Sequence, residues 1–94
     1  MRKILVIHPD DFWSNAPIQI GMISEDVIGL GLDMDIAEVR AEMTAEEAMR
    51  MYPIEQYEQV WIYSGEEYAC VRHLQAAAHA CGIVVLRRSF NFPS

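Results

Sequence analysis

The chain has 94 residues, of which 52% are hydrophobic when tyrosine is counted, and fourteen acidic residues oppose seven basic ones. The formal charge of −7 argues against nucleic-acid binding, because contacts with phosphates need a basic surface. The length predicts one domain over residues 1–94. No segment is apolar for long enough to span a bilayer, and the apolar run near the start is too short for a signal peptide. We therefore expect a cytoplasmic protein without membrane contact.

The hydrophobic pattern predicts four strands that alternate with three helices. The first strand is a continuous apolar run, typical of a strand covered on both faces, and carboxylates interspersed in the second indicate a sheet edge. The strands are predicted over residues 3–7, 34–39, 59–63 and 83–86, with Pro9 breaking the first. The helices are predicted to begin near Asn15, at Thr44 (with Glu47 completing a capping box) and near Glu66, and to end at Gly29–Gly31, before Pro53 and at Gly82.

Two helices carry apolar stripes at spacings of three and four residues. The stripes are Ile20, Ile23, Val27 and Leu30 in the first helix, and Cys70, Leu74, Ala77 and Cys81 in the third. Eleven residues of helix hold the two cysteines roughly 16 Å apart, too far for a disulfide between them. Both thiols are expected to be buried and reduced.

The order βαβαβαβ predicts a parallel sheet with right-handed crossovers. We predict a single-domain, doubly wound α/β fold of the flavodoxin- or Rossmann-like kind, with four parallel strands in the order 2-1-3-4. Such sheets bind ligands beyond the carboxyl ends of the strands, where the winding direction reverses. That crevice would lie between strands one and three, with the stretches HPDDFWS, 8–14, and SGEEY, 64–68, as its rims.

The first rim resembles a known metal site. The sequence HPDD after an apolar strand is similar to the opening motif of the zinc-dependent deacetylases of the LmbE/PIG-L family. The resemblance implies zinc binding by His8 and Asp11, with Asp10 as a base. Phe12 stands where that family has a glutamate. A zinc-dependent hydrolase is therefore the second alternative, and no metal or other cofactor is expected otherwise.

A second resemblance covers much of the chain. Residues 57–86, YEQVWIYSGEEYACVRHLQAAAHACGIVVL, resemble small members of the nucleoside 2-deoxyribosyltransferase-like group. This resemblance implies a flavodoxin-like fold and a crevice for a nucleoside or nucleotide. The active enzymes use a helical glutamate as nucleophile, but Leu74 occupies the matching position here. Glu67 is the possible substitute, so we expect a non-catalytic or weakly active nucleoside-binding domain, more in keeping with a binding protein than with an enzyme.

The candidate ligand-binding residues come from both rims and from the third helix. They are His8, Asp10, Asp11, Phe12, Ser64, Gly65, Glu67 and His73. A neutral nucleoside-like molecule suits the second rim better than a phosphate, because Glu66 and Glu67 would repel an anion from the helix start.

The alternative is a small acidic module that covers another protein, such as an inhibitor encoded by a mobile element. Its carboxylates would present a face to a basic partner. They are Glu25, Asp26, Asp33, Asp35, Glu38, Glu42, Glu46 and Glu47. The high hydrophobic fraction also favours a homodimer, in which the tail with Phe90 and Phe92 would either fold back or reach across.

Overall fold

In the part of the chain that the structure describes, four strands and three α-helices alternate, as predicted. The computed structural model describes residues 3–9, 16–63 and 68–88, with the backbone alone for 16–20. The elements are β1 (Lys3–Pro9), α1 (Ala16–Gly29), β2 (Asp33–Val39), α2 (Ala45–Met51), a 3₁₀ turn (Ile54–Gln56), β3 (Gln59–Ile62), α3 (Ala69–Ala80) and β4 (Val84–Arg87).

The strands form one parallel sheet in the order β2-β1-β3-β4. This order confirms the predicted doubly wound, flavodoxin-like architecture. β1 lies inside the sheet, paired with β2 over its whole length and with β3 over residues 4–7. The continuous apolar run of β1 follows from this position, because both faces of an inner parallel strand are covered.

The core consists of two layers that share β1. Leu5 and Ile7 pack with α2 and α3 on one face of the sheet, and Ile4 and Val6 pack with α1 on the other face. All four side chains are fully buried. Burial of an aliphatic side chain of this size contributes about 1.5–3 kcal/mol, so the apolar run that identifies β1 also stabilises both layers.

Local sequence signals mark the start of α2 and the ends of α1 and α3, whereas α3 begins at Ala69, later than its predicted start near Glu66. The amide of Glu47 donates to the Thr44 hydroxyl at 3.1 Å, which caps the start of α2. Gly31 and Gly82 have φ angles of 71° and 70°, the left-handed conformation that glycine adopts without strain at a helix end.

Three sequence expectations were wrong. Leu30 is 56% exposed because it lies in the turn that follows α1. Cys81 is exposed, unlike the buried Cys70, because α3 ends at Ala80 and Cys81 is its C-cap. Pro9 does not break β1.

Strand geometry explains why Pro9 is tolerated inside β1. Pro9 pairs in register with Val39 of β2. The carbonyl of Ile7 accepts a hydrogen bond from the β3 side, so the alternation of a strand also puts the nitrogen of Pro9 on that side. β3 already ends at Ile62, and the N–H that proline lacks would have had no strand partner there.

Candidate functional site

The carboxyl ends of β1 and β3 are adjacent, as the crevice hypothesis requires. The last pair in their register joins Ile7 and Ile62, and the Tyr63 amide then donates to the Ile7 carbonyl at 2.9 Å. From this point β1 connects outward to β2, and β3 connects outward to β4 on the opposite side. The winding direction therefore reverses between β1 and β3, which is where open parallel sheets form ligand crevices.

His8 lies at this reversal and is buried. Aromatic and thiol side chains aside, it is the one buried polar side chain in the described parts of the chain, with 6% of its surface exposed. Strand alternation puts it on the α1 face, in line with Ile4 and Val6. A histidine in this position belongs both to the core layer beside α1 and to the end of the sheet.

A hydrogen bond orients the His8 ring. Its Nδ1 lies 2.8 Å from the carbonyl oxygen of Pro9. A carbonyl oxygen only accepts, so Nδ1 is the donor and carries a proton. When its ring is neutral, a histidine oriented in this way can accept a hydrogen bond or coordinate a metal through Nε2.

Most of the predicted rim lies outside the described residues. This holds for six candidate ligand-binding positions and for Glu66, so their geometry stays a prediction. The six are Asp10, Asp11, Phe12, Ser64, Gly65 and Glu67. Within the described ranges, no three His, Cys, Asp or Glu side chains come close enough together to hold a metal ion, but Asp10 and Asp11 are not among the residues compared.

α3 carries two residues that the sequence analysis singled out, His73 and Leu74. His73 is exposed in the first half of α3, which begins shortly after the carboxyl end of β3. Leu74 is fully buried in the core against β1 and β3. The position at which the predicted resemblance would place a catalytic glutamate therefore faces away from solvent in this fold.

Tyr63 and Arg88 form a cluster beside the crevice that sequence reasoning missed. Tyr63 is 2% exposed and packs with His8's neighbours Ile4 and Val6 on the α1 face. The Arg88 Nε donates to the Tyr63 hydroxyl at 3.1 Å. Its Nη2 lies 3.2 Å from an Asp26 carboxylate oxygen. This chain of contacts ties α1 to the ends of β3 and β4.

The electrostatics of this cluster keep Tyr63 a phenol. Burial raises the pKa of Tyr63 above its ordinary value, and the positive charge and hydrogen bond of Arg88 partly oppose that rise. The Arg88 guanidinium also stacks 4.3 Å from the centre of the Trp61 ring, a cation–π contact. No local motif joins residues 26, 61, 63 and 88, so the only sequence signal was the isolated aromatic and basic residues themselves.

A second polar cluster joins Tyr57 to residues of β1 and β2. The Tyr57 hydroxyl donates to the Asp35 carboxylate at 2.9 Å, and the Lys3 ammonium lies 3.6 Å from the same oxygen. Burial is the main cause that raises the pKa of Tyr57 far above its ordinary value, and Asp35 adds to it. The phenol thus stays protonated and acts as a structural donor, since a nucleophile would need the opposite shift.

No protein-family model matches this chain, and comparisons with curated proteins and with solved structures find no significant match either. In the described residues, no helix is both long enough and apolar enough to cross a membrane.

Proposed function

We propose that the chain binds a nucleoside-like small molecule at the carboxyl ends of β1 and β3, as a non-catalytic or weakly active relative of the nucleoside 2-deoxyribosyltransferases. The observation that carries the proposal is the strand order 2-1-3-4, with a buried histidine at the reversal. Doubly wound sheets bind ligands at this place because loops from neighbouring strands diverge there and leave an opening.

Each proposed contact has a chemical role. His8 would meet a polar edge of the ligand, and Phe12 would stack on a base. The remaining candidates, Asp10, Asp11, Ser64, Gly65, Glu67 and His73, would supply the other polar contacts. The buried Leu74 supports the non-catalytic form of the proposal, since it cannot supply a nucleophile.

Nuclear magnetic resonance of the ¹⁵N-labelled protein tests this site directly. Titration with each of the four common 2′-deoxyribonucleosides should shift the amides of Ile7, His8 and Tyr63 and leave those of β4 unmoved. His8→Phe, which keeps a planar aromatic ring but lacks the nitrogens, should weaken binding, whereas His79→Phe at the exposed end of α3 should not. Shifts confined to other surfaces, or none at millimolar nucleoside, would refute the proposal.

The catalytic question has a separate assay. Incubation with a deoxyribonucleoside and analysis for free base should show no product. Release of base that disappears in Glu67→Ala would overturn the non-catalytic form of the proposal while leaving the binding site in place.

The proposed setting is the cytoplasm, where Cys70 and Cys81 would stay reduced, and the proposed assembly is a homodimer. Native mass spectrometry with and without a chelator tests the assembly and the zinc alternative together. A zinc adduct that the chelator removes, and that His8→Phe abolishes, would favour the hydrolase over the nucleoside-binding domain.

A second candidate function, an acidic module that binds a basic protein, has its own structural support. Six of the eight carboxylates between residues 25 and 47 are exposed, and the other two are half-buried. At the β2 edge lies an open groove of about 440 Å³ with two carboxylates and two methionines. Its lining residues are Glu38, Arg40, Met43, Glu47 and Met51. Arg40 lies 3.6 Å from Glu42, so this groove suits an amphipathic basic segment.

Salt dependence separates the two candidate functions. An amphipathic lysine–leucine peptide should bind the acidic groove more weakly as ionic strength rises. Reversal of charge at Glu38 and Glu47 should weaken peptide binding further, and His8→Phe should leave peptide binding unchanged. Binding that is insensitive to salt would count against the acidic-module hypothesis.

A further inference from the structure

A second surface lies at the edge of the sheet opposite β2. It combines an open strand edge with a basic groove. β4 is the terminal strand of the sheet in the described chain. On its α3 side lies a groove of about 280 Å³, and on its other side Val84 and Leu86 are 53% and 38% exposed. We call this the β4 edge surface; the groove is lined by Arg72, Gln75, Ala76, His79 and Arg87.

The backbone of β4 offers hydrogen bonds along this edge. The Arg88 amide donates inward to the Ile62 carbonyl at 2.9 Å. Amides along a strand point alternately to its two sides, so those of Val85 and Arg87 point away from β3. No strand within the described ranges pairs with that side of β4, which leaves a template for a further strand.

The charge of the β4 edge surface is opposite to that of the protein as a whole. The chain carries a formal charge of −7 and only seven lysines and arginines, yet two arginines and a histidine line this one groove. Within the described ranges Arg87 makes no ion pair. A basic groove on an acidic protein favours an anionic partner and disfavours a basic one.

The dimensions of the groove fit an extended chain. Arg72 and His79 are two helical turns apart on α3, so their Cα atoms are separated by about 10 Å along the helix axis. That length equals about three residues of an extended strand. Side chains of a strand alternate between faces, so carboxylates at every second position would meet the groove, while the residues between them would meet Val84 and Leu86.

The two edges of the sheet differ in how well they are protected against pairing with a further strand. β2 carries Asp33, Asp35 and Glu38, and charges of this kind discourage strand pairing at an edge. β4 carries no acidic residue, and three of its four residues are aliphatic. The open edge is thus the basic one.

We propose that the β4 edge surface binds an extended acidic segment of a partner protein by strand addition, with carboxylates in the groove and apolar side chains on Val84 and Leu86. Backbone hydrogen bonds to the edge supply affinity in this mode of recognition, and the alternating side chains supply specificity. The site is independent of the nucleoside crevice and goes beyond that proposed function.

A fluorescein-labelled heptapeptide with alternating glutamate and valine tests the proposal by fluorescence anisotropy. It should bind the full chain, and a peptide with lysine in place of glutamate should not. Two N-methylated versions, one at all valines and one at all glutamates, have the same side chains but block opposite backbone edges. One of the two should bind like the parent, and the other should lose at least tenfold in affinity.

A pair of charge reversals locates the site on the protein. Arg87→Glu should weaken binding at least tenfold, and Arg87→Gln should do so by a smaller factor. The matched control is Arg50→Glu, which makes the same change of charge at an exposed position on α2 and should leave affinity within twofold. Circular dichroism checks that each variant is folded.

Several outcomes would overturn the proposal. Equal weakening by Arg87→Glu and Arg50→Glu would mean that only overall charge matters. Equal binding of both N-methylated peptides would exclude strand addition. Sedimentation would detect self-association of the chain. If Arg87→Glu abolished that self-association and the peptide did not compete with it, the edge would be assigned to a second copy instead.

Discussion

The hydrogen bond between Tyr57 and Asp35 makes a quantitative prediction for the substitution Tyr57→Phe. Phenylalanine keeps the ring in its place, since Tyr57 is 5% exposed, and removes only the hydroxyl that donates to Asp35 at 2.9 Å. Hydrogen bonds to charged groups contribute about 1.5–3 kcal/mol. Asp35 keeps Lys3 at 3.6 Å and is part-exposed, so it is not left unsatisfied, and we expect a loss of about 1–2 kcal/mol.

The effect of this substitution should depend on pH in a definite direction. The folded protein raises the pKa of Tyr57 above its unfolded value of 10.0. The stability that this contributes is fully present below about pH 10 and is lost as the pH rises toward the folded pKa, because the unfolded chain then releases a proton that the folded chain retains. Above pH 10 the unmodified protein should therefore lose its advantage in free energy of unfolding over Tyr57→Phe, by up to about 1.4 kcal/mol per pH unit.

Urea denaturation followed by circular dichroism at pH 7, 10 and 11 measures both effects. Tyr52→Phe is the matched control, because Tyr52 is half-buried near the same carboxylates and burial also raises its pKa, but the described contacts give its hydroxyl no hydrogen bond to Asp35. Tyr52→Phe should lower the free energy of unfolding by less than about 0.5 kcal/mol. A Tyr57→Phe effect equal to the control at pH 7, or one that grows above pH 10, would refute the reasoning.

Three further predictions address the core, a helix cap and the thiols. Leu74→Ala should cost about 2–5 kcal/mol in urea denaturation, because it empties a fully buried site, and a cost below 1 kcal/mol would mean that Leu74 is not core. Thr44→Ala should cost about 1 kcal/mol, whereas Thr44→Ser should cost little, since serine keeps the hydroxyl that accepts from Glu47. Ellman's reagent should modify the exposed Cys81 at once and the buried Cys70, whose pKa is raised by burial, only on unfolding; two rapid modifications would contradict this.

The sequence predicted the architecture because the relevant signals are local. The apolar run in β1, the Thr44 cap and the glycine at 82 each act on their immediate neighbours, and the alternation of strands and helices then restricts the topology. The end of α3 was harder to locate, since periodicity alone extended its apolar stripe by one residue to Cys81. Pro9 was also misjudged, because its tolerance depends on where the neighbouring strand ends.

The candidate ligand site stays a prediction, because six of its eight residues lie outside the described ranges. The place of the crevice follows from strand order, and His8 was identified because it directly follows the buried run. The Asp26–Arg88–Tyr63 contacts and the Tyr57–Asp35 hydrogen bond join residues 62, 25 and 22 positions apart, and no local pattern predicts such pairs.

By itself, therefore, the sequence determined which segments are strands and helices, that the strands run parallel, and which apolar residues form the inner strand. Only the tertiary structure decided which polar side chains meet. It brought Arg72, His79 and Arg87 to one groove beside β4 and spread the carboxylates along the edge at β2. The physical reason is that hydrophobic periodicity records burial within one element, whereas pairing between distant polar groups depends on the crossovers that bring separate elements together.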